Sequence, residues 1–259
     1  MNYQNRICCF IDILGFKTHL NETIDSHGND VVEKINSINS ILELSKSITS
    51  NHGISESRVV TYFSDSIVIS YEFNEESQLF LSLLNLLYVS MELANKGYLT
   101  RGGVSIGKLI HNENVIFGPA LVKAYNLESK ISKYPRIIID KEVIDEGIKY
   151  HSQNHTINEE EEYIMDIVTL DDDENYYIDY IQKSSSEFDD IEYDLYRFIN
   201  NLKSNFFSNY ESEPTDVKEK LDWLKQKINN LISHIKINIQ NPNYAPDIIQ
   251  LYSTLEYIE

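Results

Sequence analysis

Apolar positions change their spacing several times along the chain, and each change marks an element. Residues 6–13, Arg6-Ile7-Cys8-Cys9-Phe10-Ile11-Asp12-Ile13, are apolar on both faces up to the aspartate, the pattern of a strand inside a sheet. From 29 to 50, Val31, Ile35, Ile38, Ile41, Leu42 and Leu44 recur at helical spacing. Two β-rich runs, about 57–63 and 66–71, flank Ser64-Asp65 and predict a hairpin. Leu79, Leu83, Leu86, Leu87 and Leu93 predict a strongly apolar helix over 75–95, closed by Lys96-Gly97. A strand over 98–110 follows, carrying Gly102, Gly103 and Gly107, where glycine marks a bulge or a close backbone approach. A short strand at 114–117 leads through Gly118-Pro119 into a helix ending near 132, with proline well placed in its first turn. Residues 136–140 read as another strand. The run Glu159-Glu160-Glu161-Glu162 reads as a solvated loop or helix start, with two weaker strands after it, near 163–169 and 175–181. Beyond Lys183-Ser184-Ser185-Ser186 the spacing is helical: 188–207, then 215–239 after Pro214, then a short piece after Pro246. The order is β-α-β-β-α-β-(β)-α-β, an α+β chain divided at 1–183 and 184–259.

Composition narrows what such a chain does. Its 259 residues can bury a sizeable core, and 42% hydrophobic content with interspersed charge describes a folded domain. A net charge of −19 argues against gripping nucleic acid, which needs clustered Lys and Arg. A single nucleotide stays compatible, because metal ions bridge acidic protein and acidic ligand. The two cysteines, Cys8 and Cys9, are adjacent in an apolar run, so no intrachain disulfide framework is expected. No leader-like N-terminus and no apolar run of about 20 residues is present, so the expectation is a cytoplasmic protein without a membrane span. The seven histidines lack metal-ligand spacing; His151 and His155 stand four apart in a polar stretch and read as surface.

The candidate chemistry lies in two apolar strands that each end in an aspartate, Asp12 and Asp65. A buried ionised carboxylate is costly unless a cation or donor pairs with it. Two of them on neighbouring strands point to a shared divalent ion, and hard oxygen ligands suit Mg²⁺ or Mn²⁺ held together with phosphates. Plainer roles stand beside these: Asp12 as a cap, Arg101 as an ion-pair partner, Tyr62 as a sheet tyrosine and Lys123 as a solvated helix residue.

The element order with aspartates at those places resembles the class III nucleotidyl cyclase domain over residues 6–181. Phe10-Ile11-Asp12-Ile13-Leu14-Gly15-Phe16 matches that family's first metal motif, and Asp65 matches the aspartate of its β-hairpin. Arg101-Gly102-Gly103-Val104-Ser105-Ile106-Gly107 falls where the family carries an Arg-x-Gly-x-x-x-Gly strand. Gly118 to Ser129, ending Leu127-Glu128-Ser129, is similar to the helix that presents transition-state residues. The wording Phe63-Ser64-Asp65-Ser66, Gly118-Pro119-Ala120-Leu121 and Tyr134-Pro135-Arg136-Ile137 looks most like the pyrimidine cyclases of bacterial anti-phage signalling, the Pycsar systems. The tail with Lys220-Leu221-Asp222-Trp223-Leu224 is consistent with that branch.

The resemblance implies a ferredoxin-like α+β cyclase domain with a C-terminal helical extension, working as a homodimer. It implies a nucleotide cyclase that converts UTP or CTP to the 3′,5′-cyclic monophosphate and pyrophosphate, a signal for a separate effector. Asp12, Asp65 and the Ile13 carbonyl would hold two Mn²⁺ or Mg²⁺ ions, and Arg101 and Lys123 would serve catalysis. Phe10, Leu14, Gly15, Phe16, Thr61 and Tyr62 would contact substrate, the amides of 14–16 through phosphate and Tyr62 through the base. The departures are also specific. Thr61 stands where purine cyclases read the base with lysine, and Val122 and Asn126 stand at the transition-state Asn and Arg. Lys108, Lys123, Arg101 and Arg136 are the candidates for the missing positive charge. An adenylate or guanylate cyclase, and an inactive dimeric nucleotide-binding module of the same fold, are the alternative readings.

Overall fold

The computed structural model describes residues 2–51, 57–241 and 244–259. Four long strands build the centre of its sheet: β1 (Gln4–Ile13), β2 (Val59–Phe63), β3 (Ser66–Glu72) and β4 (Thr100–His111). They run in the order β2-β3-β1-β4, every neighbour antiparallel. With helix α1 (Phe16–Asn21) and α2 (Val32–Asn51) between β1 and β2, and α3 (Gln78–Asn95) between β3 and β4, this is the ferredoxin-like β-α-β-β-α-β arrangement. β5 (Ile116–Phe117) pairs with the end of β4. Helix α4 (Pro119–Asn126) continues as one π turn, Leu127–Ile131, before β6 (Ile137–Ile139), which lies parallel to β4. Helices α5 (Lys141–Gly147) and α6 (Ile157–Ile167) precede β7 (Val168–Leu170) and β8 (Tyr176–Ile178), which complete the sheet beyond β6.

The double-sided apolar pattern of β1 has a direct cause. Ile7, Cys8, Cys9 and Ile11 are all fully buried, because both faces of the strand are covered. Ile13 joins Phe16, Ile41 of α2, Val89 and Leu93 of α3 and Tyr98 in one cluster. Cys8 joins Val68, Leu109 and Ala120 and Ala124 of α4 in another, on the opposite face. Glycine on β4 is what lets α4 approach. A Cβ at Gly103 would collide with the Ala124 carbonyl and lie 2.6 Å from Leu127 Cβ. Gly118, at φ +151°, turns the chain into α4 with the Lys108 carbonyl 2.5 Å from where its Cβ would be.

Two expectations for the region after 150 are corrected. The strand expected near 163–169 is helical to Ile167, while the run at Glu159–Glu162 falls at the start of α6, the helix start of the two expectations, with Glu160 buried. Thr156 and Glu159 close a reciprocal capping box at its start, and Glu160, Ile164 and Ile167 share one buried face at helical spacing. Glu160 accepts from Ser77 Oγ at 2.8 Å and contacts His155 Nε2, so His155 is a partner of a buried acid rather than a free surface ring.

Contacts divide the chain into two units, Met1–Leu93 with Tyr98–Asp179, and Ala94–Gly97 with Tyr180–Glu259. The second contains α7 (Ile191–Phe207), α8 (Thr215–Asn238) and α9 (Pro246–Ser253), and Leu202, Leu224, Ile228 and Ile232 are buried in it. Within it, Asn201 donates to Asn95 Oδ1 at 2.8 Å. Among the described residues no helix is long and apolar enough to cross a membrane.

Candidate active site

Strand register decides which side chains meet. Asp12 lies opposite Ser66 on β3 and opposite Arg101 on β4, and Ser66 lies opposite Phe63 on β2. Cross-strand partners share a face and alternate residues point the same way. The row Phe63, Ser66, Asp12, Arg101 is therefore followed on the same face by Thr61, Val68, Phe10, Gly103, and then by Val59, Ser70, Cys8, Ser105. Tyr62 belongs to the intervening row with Ile67, Ile11 and Gly102, on the opposite face. Tyr62, expected at the base, is half-buried on the side away from Asp12. Phe63, not singled out from the sequence, is on the Asp12 side and half exposed.

Asp65 reaches the same end of the sheet through the hairpin turn, where Ser64 takes a left-handed φ of +52°. The Asp65 carbonyl accepts from Ile13 N at 2.9 Å, tying the turn to the end of β1. Arg101 Nε donates to Asp12 Oδ2 at 3.1 Å. Its Nη2 lies 2.7 Å from Oε1 of Glu128, a charge contact without the alignment of a hydrogen bond. Glu128 is buried, and the π turn aims it at β4.

Burial raises the Asp12 carboxyl above its ordinary range; the bond and charge of Arg101 oppose this and the charge of Asp65 adds to it. Burial likewise raises Glu128, against Arg101 and with Asp12 and Asp65. Asp12 and Glu128 thus share one guanidinium and the Asp65 charge lies nearby, a formal charge of −2 at the end of the sheet. A divalent cation fits that deficit, and the oxygen donors suit a hard ion. Among the described residues no group of three or more His, Cys, Asp or Glu side chains is arranged to enclose a metal. Asp12, Asp65 and the Ile13 carbonyl would therefore hold only part of a coordination shell, the arrangement in which substrate phosphates and water supply the rest.

The other expected contacts divide. Gly15, at φ +74°, turns the chain into α1, and its amide and that of Phe16 stand at the start of that helix. The Leu14 amide donates to the Leu99 carbonyl at 2.8 Å, so it is not available to a phosphate. The Phe16 ring is packed in the core with Ile13 and Val89, so only its backbone could meet substrate. Phe10 is half-buried and edge-to-face with Tyr125, centroids 5.4 Å apart. Thr61 Oγ1 lies 2.9 Å from His111 Nε2.

Of the candidate cations, Arg101 alone is paired with Asp12 among the described residues. Lys123 binds Asp140 at 2.7 Å and Glu142 at 2.6 Å, and these bonds outweigh burial to hold its ammonium above the ordinary range. Arg136 is buried and clamped to Asp171 and Asp173. Lys108 is exposed on β4. Glu128 was legible only as part of the Leu127-Glu128-Ser129 motif.

An open groove of about 590 Å³ runs along α4, lined by Val122, Lys123, Asn126, Leu127, Lys130 and Asp140 among others. None of Asp12, Asp65, Arg101 or Glu128 lines it.

No protein-family model matches the chain, and no curated protein matches it. Among solved structures, the chain is similar to the adenylyl cyclase CyaB from P. aeruginosa, with 14% identity over 68% of this chain and 94% of that one, at a TM-score of 0.48. It is similar to a bacterial light-regulated adenylyl cyclase, with 21% identity over 55% of this chain and 79% of that one, at 0.42. A Class III adenylyl cyclase-like ATP-binding protein from Pseudomonas aeruginosa aligns at 12% identity over 62% of this chain and 40% of that one, also at 0.42.

Proposed function

We propose that the protein is a metal-dependent nucleotidyl cyclase acting on a pyrimidine triphosphate, UTP or CTP. The observation that carries this reading is the convergence of Asp12, Asp65, Arg101 and Glu128 at one end of the central strands. Bound to Asp12, Asp65 and the Ile13 carbonyl, Mg²⁺ or Mn²⁺ would supply activation of the ribose 3′-hydroxyl and neutralisation of the triphosphate.

The chain's own residues do the positioning. Asp12 and Asp65 provide negative charge that fixes the cations, and Arg101, anchored by Glu128, offers a guanidinium to phosphate oxygens. The turn at Gly15 presents the Gly15 and Phe16 amides. The ribose 3′-oxygen, losing its proton, attacks the α-phosphorus in line; the bond to the bridging oxygen breaks and pyrophosphate leaves. Thr61 faces the base from the same side of the sheet as Asp12.

The groove along α4 carries the positions of the expected transition-state residues and is lined by none of Asp12, Asp65 and Glu128. That separation supports a homodimer in which the α4 face of one copy completes the acid cluster of the other. The product would act as a signal for a separate effector in anti-phage defence, as the sequence resemblance implies. Val122 and Asn126 favour one second reading, a non-catalytic nucleotide-binding dimer of the same fold.

Incubation of the protein with each of ATP, GTP, CTP and UTP and Mn²⁺, with products identified by mass spectrometry, separates these readings. Cyclic UMP or cyclic CMP that is absent with Asp65→Ala is the expected result. A purine product would remove the pyrimidine assignment, and no cyclic product from any of the four would leave the non-catalytic reading.

A further inference from the structure

A chain of hydrogen bonds crosses the face of the sheet that carries Asp12, and its direction can be worked out. Arg6 is buried, and its Nε donates to Ser70 Oγ at 2.8 Å while Nη2 donates to the Ser70 carbonyl at 3.1 Å. Ser70 Oγ lies 2.8 Å from His111 Nδ1, and His111 Nε2 lies 2.9 Å from Thr61 Oγ1. Ser70 and His111 are buried, and Thr61 is half-buried at the strand that faces the base.

A guanidinium only donates. Ser70 Oγ therefore accepts from Arg6, and its own proton must go to an acceptor because a buried hydroxyl does not stay unpaired. Among the described residues the acceptor in reach is His111 Nδ1. Burial, reinforced by the nearby charge of Arg6, pulls His111 down to about 4, so the ring is neutral near pH 7. A neutral ring that accepts at Nδ1 carries its proton on Nε2. That proton is donated to Thr61 Oγ1, and the Thr61 hydroxyl proton is left to point away from His111.

We infer that Thr61 is wired as a hydrogen-bond donor to the substrate base, so that the site takes a keto base, uracil, in preference to an amino base, cytosine. The inference rests on the cyclase reading, which puts Thr61 at the base. Uracil and cytosine share the 2-carbonyl, so the group read is at position 4, where the uracil carbonyl accepts the Thr61 proton. The cytosine 4-amine can donate only to the remaining lone pair of Thr61 Oγ1 and leaves the Thr61 proton unpaired in a half-buried site, which costs affinity. The relay is set by residues on three strands, β1, β3 and β4, none of which needs to touch the nucleotide. Arg6, Ser70 and His111 are positioning residues, and Thr61 is the reader.

The test is the UTP-to-CTP ratio, in equilibrium binding by thermal shift with Mn²⁺ and in turnover, for the wild type, Thr61→Val and Thr61→Ser. Thr61→Val keeps the volume and removes the hydroxyl; Thr61→Ser keeps the hydroxyl. The wild type should favour UTP by about tenfold or more. Thr61→Val should bring the ratio close to one, and Thr61→Ser should restore most of it. A wild-type preference for CTP, or an unchanged ratio in Thr61→Val, overturns the inference while leaving cyclisation itself intact. Binding selectivity without any cyclic product would sustain the wiring and remove the cyclase reading. Failure to bind either nucleotide would remove both.

Discussion

Two arginines in this fold are each flanked by acids, and the two clusters behave in opposite ways. Arg136 is 2% exposed, while its partner Asp171 is half-buried and Asp173 lies at the surface, and the guanidinium sits 5.5 Å from the Tyr177 ring centroid. There the cation is the most buried member: the bond to Arg136 is the largest cause holding Asp173 below its ordinary range. Arg101 is 27% exposed, and its partners Asp12 and Glu128 are the more buried members. There burial raises both acids, and the guanidinium only partly compensates. Similar ingredients make a clamp when the acids can hydrate, and a site short of positive charge when they cannot. The Arg136 cluster fastens the β6 end to the turn before β8. The Arg101 cluster is left with more negative than positive charge, which is what the proposed cation would offset.

The sharpest way to break this contrast is to neutralise one acid in the Arg101 cluster. Asp12→Asn should lower turnover about a thousandfold or more, a loss of the size expected when a charge-positioning group is removed. Because burial already favours the neutral form of Asp12, the melting temperature should be equal or higher. A clear drop in melting temperature would mean that Asp12 is a structural ion-pair partner like Asp173. The converse change is Arg136→Met, which should cost about 3 kcal/mol of stability in urea titration, since it strips a buried charge from its partners. Arg101→Met in the same assay should change stability by less than about 1 kcal/mol, because its side chain is partly hydrated.

A smaller effect is expected at Glu128. Glu128→Gln keeps the shape and removes the second anchor of Arg101, so kcat should fall roughly ten- to a hundredfold with little change in KM. Parallel loss of KM would place Glu128 in ground-state binding instead. The smallest effect concerns the other buried arginine, Arg6, and its neighbour His111. The His111 ring titrates near 4 in the folded chain against 6.5 as the ordinary value, so the unfolded state binds more protons between those pH values. Stability should therefore fall as pH is lowered from about 6.5 towards 4. His111→Gln should remove that part of the decline in urea midpoints measured at a series of pH values.

Much of the fold was legible because its signals are local. The double-sided apolar run of β1, the Ser64-Asp65 turn and the Gly118-Pro119 helix start each depend on residues close in sequence. Asp12 and Asp65 could be singled out for the same reason, as acids ending apolar strands. The capping box of α6 was also written locally, in Thr156 and Glu159, but the four consecutive glutamates suggested a solvated run and hid it. What that reading missed was that helical spacing buries Glu160 with Ile164 and Ile167.

The sequence by itself determined where most strands, turns and helices before residue 140 lie, which strands are covered on both faces, and which acids end them. Those properties follow from periods of two and 3.6 residues and from glycine and proline, all of which act over a few residues. Tertiary structure alone decided that Thr61 rather than Tyr62 shares a face with Asp12, because that depends on the pairing of β2 with β3 and of β3 with β1. It also decided that Glu128 reaches Arg101, that Lys123 turns to Asp140, and that Arg136 is a clamp. Contacts between residues distant in sequence are set by strand register and by the closeness with which a helix can lie on glycine, and neither is encoded in the neighbours of the residue concerned.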